Sequence, residues 1–239
     1  MANKSASAAP LEFVGPPGRL TLVSDIDIDR DAEFTADQAL NAFIGGVRRP
    51  FRVRGSAGRG PRRLKLKLDP TAPPGQYKAV IGSGDKSQEV LVTVQRAPRV
   101  SVSPSQVQFS GAPLAKVEEA ITFWNRGNVA FQLPDFVPIG LFDDDGLETA
   151  IASTYRQKPE SLEEIAGHFF SRLREAHGGM LKLSVVSDGK TLEPGKALTA
   201  RLCGALPGGL RPGHGYHGVW STDFANIGIG VAVTSEVQS

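Results

Sequence analysis

Cysteine is nearly missing from this 239-residue chain: Cys203 stands alone, which excludes an internal disulfide framework and any zinc cage built from cysteines. No apolar run is long enough to cross a bilayer as a helix. Neither sign of charge dominates, since 27 Lys and Arg face 25 Asp and Glu for a net +2, so any basic feature is local rather than a field over the whole molecule. The sequence has no nucleophile elbow, phosphate-binding glycine loop or zinc-protease signature, and the reading is therefore of a protein that is not an enzyme and carries no cofactor.

What the chain has in quantity is 27 Gly and 17 Pro, a composition that calls for many turns and many short strands. Its length exceeds the roughly 100–150 residues of a common single domain, so two domains are expected. Residues 1–10, MANKSASAAP, read as a flexible leader or as the remnant of a removed signal plus an added Met.

Alternation carries the fold assignment. Leu20, Leu22, Ile26 and Ile28 alternate with Thr21, Val23, Asp25 and Asp27, and Arg63-Leu64-Lys65-Leu66-Lys67-Leu68 alternates as cleanly, so both are half-buried strands. Paired antiparallel, they would set Asp25 and Asp27 opposite Arg63, Lys65 and Lys67. The prolines of 69–75 make a turn, and Gln76–Ile81 and Glu89–Val94 form a hairpin that closes a first sandwich spanning 11–96. Val100, Val102, Val107 and Phe109 open a second, spanning 99–235. There Glu119–Trp124 runs into an Asn125-Arg126-Gly127-Asn128 turn suited to left-handed backbone, and strand resumes over Val129–Leu133. The two halves echo each other: Pro74-Gly75-Gln76-Tyr77 returns as Pro212-Gly213-His214-Gly215-Tyr216, each time ahead of a last alternating strand.

Between about 139 and 179 the texture changes to two helices. Asp145 with Glu148, and Ser161 with Glu164, have capping-box spacing. Leu162, Ile165, Ala166, Phe169, Leu173 and Ala176 form one apolar stripe, and Gly178-Gly179 ends it.

Four groups of residues invite a chemical reading. Asp25, Asp27, Asp29, Asp31 and Glu33 have superficial calcium-loop spacing, but the isoleucines between them favour a strand. Arg48, Arg49, Arg52 and Arg54, continued by Arg59, Arg62, Arg63, Lys65 and Lys67, could bind phosphates, yet only Phe51 is there to stack and no reading helix is visible. His214 and His217 are read as pointing to opposite faces of a strand, and His168 and His177 as diverging on a helix, so no metal site is assigned. Asp143-Asp144-Asp145 reads as helix capping, and Cys203, between Leu202 and Leu206, as a semi-buried thiol.

The runs Val102-Ser103-Pro104-Ser105-Gln106-Val107-Gln108-Phe109 and Ile121-Thr122-Phe123-Trp124-Asn125-Arg126-Gly127-Asn128, with Pro74-Gly75-Gln76-Tyr77, resemble bacterial immunoglobulin-like domains of the NEW3 and ASH type. The helical insertion departs from that pattern. The resemblance implies an all-β protein of two tandem immunoglobulin-like β-sandwiches, a non-catalytic binding or structural module of a cell-envelope or surface assembly. It implies a periplasmic or extracellular setting, and the residues themselves leave a cytoplasmic one open. The expected partner is another protein or a further copy, docking through the insertion, loops or strand edges. The aromatics Phe136, Phe142, Tyr155, Phe169 and Phe170 are the candidate contacts, with packing of the insertion onto its own domain as the equal alternative. A nucleic acid or anionic surface held by Arg48, Arg49, Arg52 and Arg54 is the second reading, and a periplasmic chaperone-like assembly factor the third.

Overall fold

A computed structural model of the chain describes residues 10–18, 20–24, 32–44, 51–54, 62–83, 86–158 and 161–235. The chain forms two compact units.

Unit 1 is built from the chain up to Arg99 together with Asn125–Ala130 and Glu193–Gly195. Its elements are β1 (Leu11–Gly15), β2 (Leu20–Ser24), β3 (Glu33–Ala36), α1 (Gln38–Asn41), β4 (Phe51–Arg54), β5 (Arg62–Leu66), β6 (Gly75–Ser83) and β7 (Lys86–Val94). They make two sheets, ordered β1-β7-β6-β3 and β2-β5-β4. Alternation decides which side chains meet inside. Phe13, Leu20, Leu64, Leu66, Leu68, Ile81 and Val92 are all buried in one core, and burying each stabilises the fold by about 1.5–3 kcal/mol.

β2 and β5 pair antiparallel as the alternation requires, with Leu20 opposite Leu66 and Leu22 opposite Leu64. Asp25 and Asp27 lie outside the described residues, and Val23 is set against Arg63 and Thr21 against Lys65.

The Asn125–Asn128 turn works by hydrogen bonding and close approach instead of left-handed backbone. A Cβ at Gly127 would sit 2.4 Å from the Ala97 carbonyl oxygen, so only glycine fits. Asn128, 3% exposed, accepts from the Ala97 N–H at 2.6 Å and donates to the Ala72 and Gln95 carbonyls at 3.0 and 2.9 Å. Strand resumes later and more briefly than expected.

Unit 2 comprises Val100–Trp124, Phe131–Leu192 and Lys196–Ser239. It contains β8 (Val100–Ser103), β9 (Gln106–Gly111), β10 (Lys116–Asn125), β11 (Phe131–Gln132), β12 (Phe136–Asp143), α2 (Gly146–Arg156), α3 (Leu162–Glu175), β13 (His177–Val186), β14 (Thr191–Leu192), β15 (Ala197–Ala205), β16 (Gly215–Ser221) and β17 (Asn226–Val233). One sheet runs β8-β10-β15-β13-β12-β16-β17-β9. Its two end strands are consecutive in the chain, so the sheet wraps around a single core. Phe123 meets the Trp220 ring edge-on there, with centroids 5.8 Å apart.

Both units share an immunoglobulin-like plan: an early strand lies parallel to the last one, β1 on β7 and β9 on β17, while the last two strands form an antiparallel hairpin. The repeated proline–glycine–tyrosine segment has a matching role in each. Tyr77 donates its hydroxyl to the Pro73 carbonyl at 2.8 Å, and the Tyr216 hydroxyl accepts the Arg211 N–H at 3.1 Å. Each tyrosine thereby pins the turn that precedes its own strand.

The insertion is narrower than the sequence suggests, because Ile139–Asp143 and His177–Gly179 are strand. Val137, Ile139 and Leu141 do alternate inward, but Pro138 and Gly140 between them mask the signal. Gly178 and Gly179 do not cap a helix, since α3 stops at Glu175. Gly178 lies under the Tyr216 ring, where a Cβ would be 2.6 Å away, and Gly179 takes φ +101° where the β12–β13 register shifts. Ser161 caps α3 as read, accepting from the Glu164 N–H at 3.2 Å. Asp145 makes no side-chain cap to α2.

Candidate functional site

α2 and α3 stand at the end of the β12–β13 hairpin, and their root is closed by the Asp143 N–H donating to the Ala176 carbonyl at 2.9 Å. Gly146, Ala150 and Thr154 form a small-residue stripe, buried against α3. A Cβ on Gly146 would come 2.5 Å from the Ala176 Cβ, so glycine permits the approach.

Two of the three acids at this root, Asp143 and Asp144, form a clamp, contrary to the capping role read from the sequence. Asp143 ends β12 with its carboxylate 5% exposed, accepting from Arg211 and lying 2.9 Å from His214 Nδ1. Asp144 takes His217 Nδ1 at 2.9 Å. Residues 211–217, the loop before β16 and the start of that strand, are thus held to the end of β12 by two histidine–aspartate pairs and one arginine, which is what places both carboxylates. His214 lies outside the strand, and His177 belongs to β13 where it meets Phe142 edge-on at 5.2 Å, so neither sits where the periodicity put it. Among the described residues no group of three or more His, Cys, Asp or Glu could hold a metal ion.

A pocket of about 250 Å³ opens beside this clamp, lined by Asp143, Thr149, Ser153, Arg172, Arg211 and His214 among others. Its ionic groups satisfy one another: Arg211 bonds Asp143, and Arg172 bonds Glu175 at 2.7 Å. The Ser153 hydroxyl donates to the Ala150 carbonyl at 3.1 Å. A larger groove of about 420 Å³ in unit 1 crosses β3, β6 and β7, lined by Thr35, Val80 and Leu91, but there Asp37 is already engaged, accepting from the Leu40 and Lys78 N–H groups.

The predicted aromatic contacts divide. Tyr155 on α2 and Phe170 on α3 are 66% and 65% exposed, and Phe169, half-buried, packs on Phe170 with centroids 5.6 Å apart. Phe142 stands exposed at the root of the helices. Phe136 is exposed too, but six residues along β12 from Phe142, about 20 Å away, so it does not join them. The aromatics leave out Leu147 and Ile151, both exposed, and Leu162, which belongs to the apolar stripe of α3 yet is exposed as well. The i, i+4, i+8 spacing of Leu147, Ile151 and Tyr155 was the available signal.

Of the basic group, Arg48 and Arg49 lie outside the described residues. Arg52 is exposed on β4, opposite Lys65 of β5, and Arg54 is in register with Arg63. Cys203 is partly buried; desolvation, with Glu118 next in weight, raises its thiol above the ordinary cysteine value.

No family model matches this chain, and no curated protein matches it. Solved structures do. The titin fragment Titin-A168169 is 12% identical, with 95% of each chain covered and a TM-score of 0.33. The Dpr2 Ig1-Ig2 structure in complex with DIP-Theta Ig1-Ig3 is 13% identical over 96% of this chain and 97% of that one, at 0.24. Domains 4 and 5 of the S-layer protein SbsC are 10% identical over 86% and 77%, at 0.26. The fold is mostly β and immunoglobulin-like, and no helix among the described residues is long and apolar enough to cross a membrane.

Proposed function

We propose that this protein is a non-catalytic binding or assembly module whose partner, a protein, docks on the exposed apolar side of the α2–α3 hairpin. One observation carries this reading: Leu147, Ile151, Tyr155, Leu162 and Phe170 are all exposed on one short insertion. Clustered apolar exposure of that kind marks interaction surfaces. The setting, a cell-envelope or surface assembly, rests on the resemblance of the 102–109 and 121–128 runs to bacterial immunoglobulin-like domains.

The closed root supplies the test. Residues 146–175 are excised and replaced by a short glycine–asparagine turn, folding is verified by circular dichroism and a cooperative melt, and co-purification from the native source is compared with the full chain. Loss of the partner from a folded variant is expected. A folded variant that still retains the partner overturns the proposal.

One second reading, binding of an anionic surface or nucleic acid, is favoured by Arg52 of β4 and Arg63 of β5, exposed on adjacent strands. Changing Arg48, Arg49, Arg52 and Arg54 to Ser would then abolish binding to single-stranded DNA or anionic vesicles, and native binding would fall steeply with salt. Salt-independent binding eliminates it.

A further inference from the structure

We infer that the surface on the α2–α3 hairpin takes a second copy of this chain, the two hairpins packing face to face about a two-fold axis into an antiparallel four-helix arrangement. This rests on the reading that the hairpin's apolar side is a docking surface, and it names the occupant.

The pocket settles which helix flanks lie together. Thr149 and Ser153 of α2 line it with Arg172 and Glu175 of α3, so those flanks share one side. At about 100° per residue, Leu147, Ile151 and Tyr155 lie roughly 160° around α2 from Thr149 and Ser153, and Glu163, Phe170 and Arg174 lie roughly 160–180° around α3 from Arg172. They therefore occupy the opposite side together. Glu163, Gly167, Phe170 and Arg174 are all exposed.

The order of residues along this side is self-complementary. Rotating a second hairpin by half a turn about an axis that crosses the helices lays its tip over the first one's root, each helix antiparallel to its own copy. Glu163 and Arg174 are eleven residues apart, three helical turns and about 16 Å, so they share a face yet cannot pair within one chain. In the rotated copy each meets the other, giving two ion pairs related by symmetry, as a two-fold interface demands. Midway between them Phe170 falls opposite Gly167 of the second copy. Nothing lies within 4 Å of where a Gly167 Cβ would be, so the glycine leaves an open notch for the ring. On α2 the same operation sets Ile151 against Tyr155, because Gly146 packs level with Ala176 and residue 153 is therefore about level with the midpoint between Glu163 and Arg174. The charge order, the notch and the apolar stripe all point to one geometry. A partner of different sequence would not require Glu163 and Arg174 to be mutually opposite.

The test is sedimentation velocity and light scattering on the full chain over a concentration series. The native chain is expected to double in mass as concentration rises. Glu163→Arg alone and Arg174→Glu alone should each weaken dimerisation at least about tenfold by placing like charges in contact, and the double exchange should restore it. Gly167→Leu should weaken the dimer by filling the notch while raising the melting temperature of the monomer, because leucine favours helix over glycine. A chain that stays monomeric throughout, or a dimer indifferent to all three single changes, overturns the inference. If the chain is monomeric while excision of 146–175 still abolishes capture of a partner, this inference falls and the broader binding reading stands. If the excised chain keeps both its partner and its dimer, both fall.

Discussion

The two units apply one plan to different ends. Among the described residues of unit 1 the exposed large apolar side chains are Val14, Val23 and Val80, scattered singly over strands. Unit 2 has Phe142, Leu147, Ile151, Tyr155, Leu162, Phe170 and Met180 exposed on or beside one insertion. Isolated surface valines need no explanation, whereas a concentration of large side chains does. The lesson is that the sandwich provides the frame in both, and the insertion at the end of β12 provides the difference.

The comparison can be broken at the cores first. Phe13→Ala in unit 1 and Phe123→Ala in unit 2 should each cost about 3–5 kcal/mol in denaturant unfolding, since both rings are fully buried. A loss below about 1 kcal/mol at either site would show that unit's core to be loose. Next is Asn128→Ala, expected to cost about 2–3 kcal/mol by stranding the Ala72 and Gln95 carbonyls and the Ala97 N–H.

The tyrosines sharpen the contrast at a smaller scale. Tyr77→Phe removes one hydroxyl bond and should cost about 1 kcal/mol near neutral pH. Burial first, and Asp37 second, raise the Tyr77 pKa above 10.0. A raised value means the folded state holds the proton longer, so this contribution is complete below the ordinary tyrosine pKa and fades as pH climbs through the folded one. Alkaline melts of the native protein should show that decline, and the phenylalanine variant should lose it. The smallest effect is expected on the hairpin surface: at concentrations where the chain is monomeric, Tyr155→Ser with Phe170→Ser should move stability by less than about 0.5 kcal/mol per site. A larger loss would mean that these rings pack on their own unit, which would remove the contrast between the units.

How far the sequence spoke depended on how local the determinant was. The alternation in Arg63–Leu68 was enough to turn Leu64, Leu66 and Leu68 inward, because burial on one face enforces a period of two. The proline–glycine–tyrosine echo was visible for a similar reason: each tyrosine bonds only four or five residues back. Helices α2 and α3 announced themselves through capping spacing and an apolar stripe. Less was legible where distant segments meet. Asp143 looked like a helix cap until the turn before β16 brought His214 and Arg211 to it from some seventy residues away. Gly178 looked like a helix stop, though its role is set by the ring of Tyr216. The surface was only half legible, since exposed aromatics stand out in a sequence while aliphatic residues such as Leu147 and Ile151 look the same whether they face a core or a partner.

The single amide-to-carbonyl bond between Asp143 and Ala176 also bears on how such a protein can diversify. Because the chain leaves and re-enters the sandwich at one point, the entropy of closing that excursion depends only weakly on what is put there, by about 0.6 kcal/mol for each doubling in length. Selection could therefore lengthen, shorten or replace the whole projection while the frame beneath it keeps its folding free energy nearly constant. Recognition would be free to change faster than architecture.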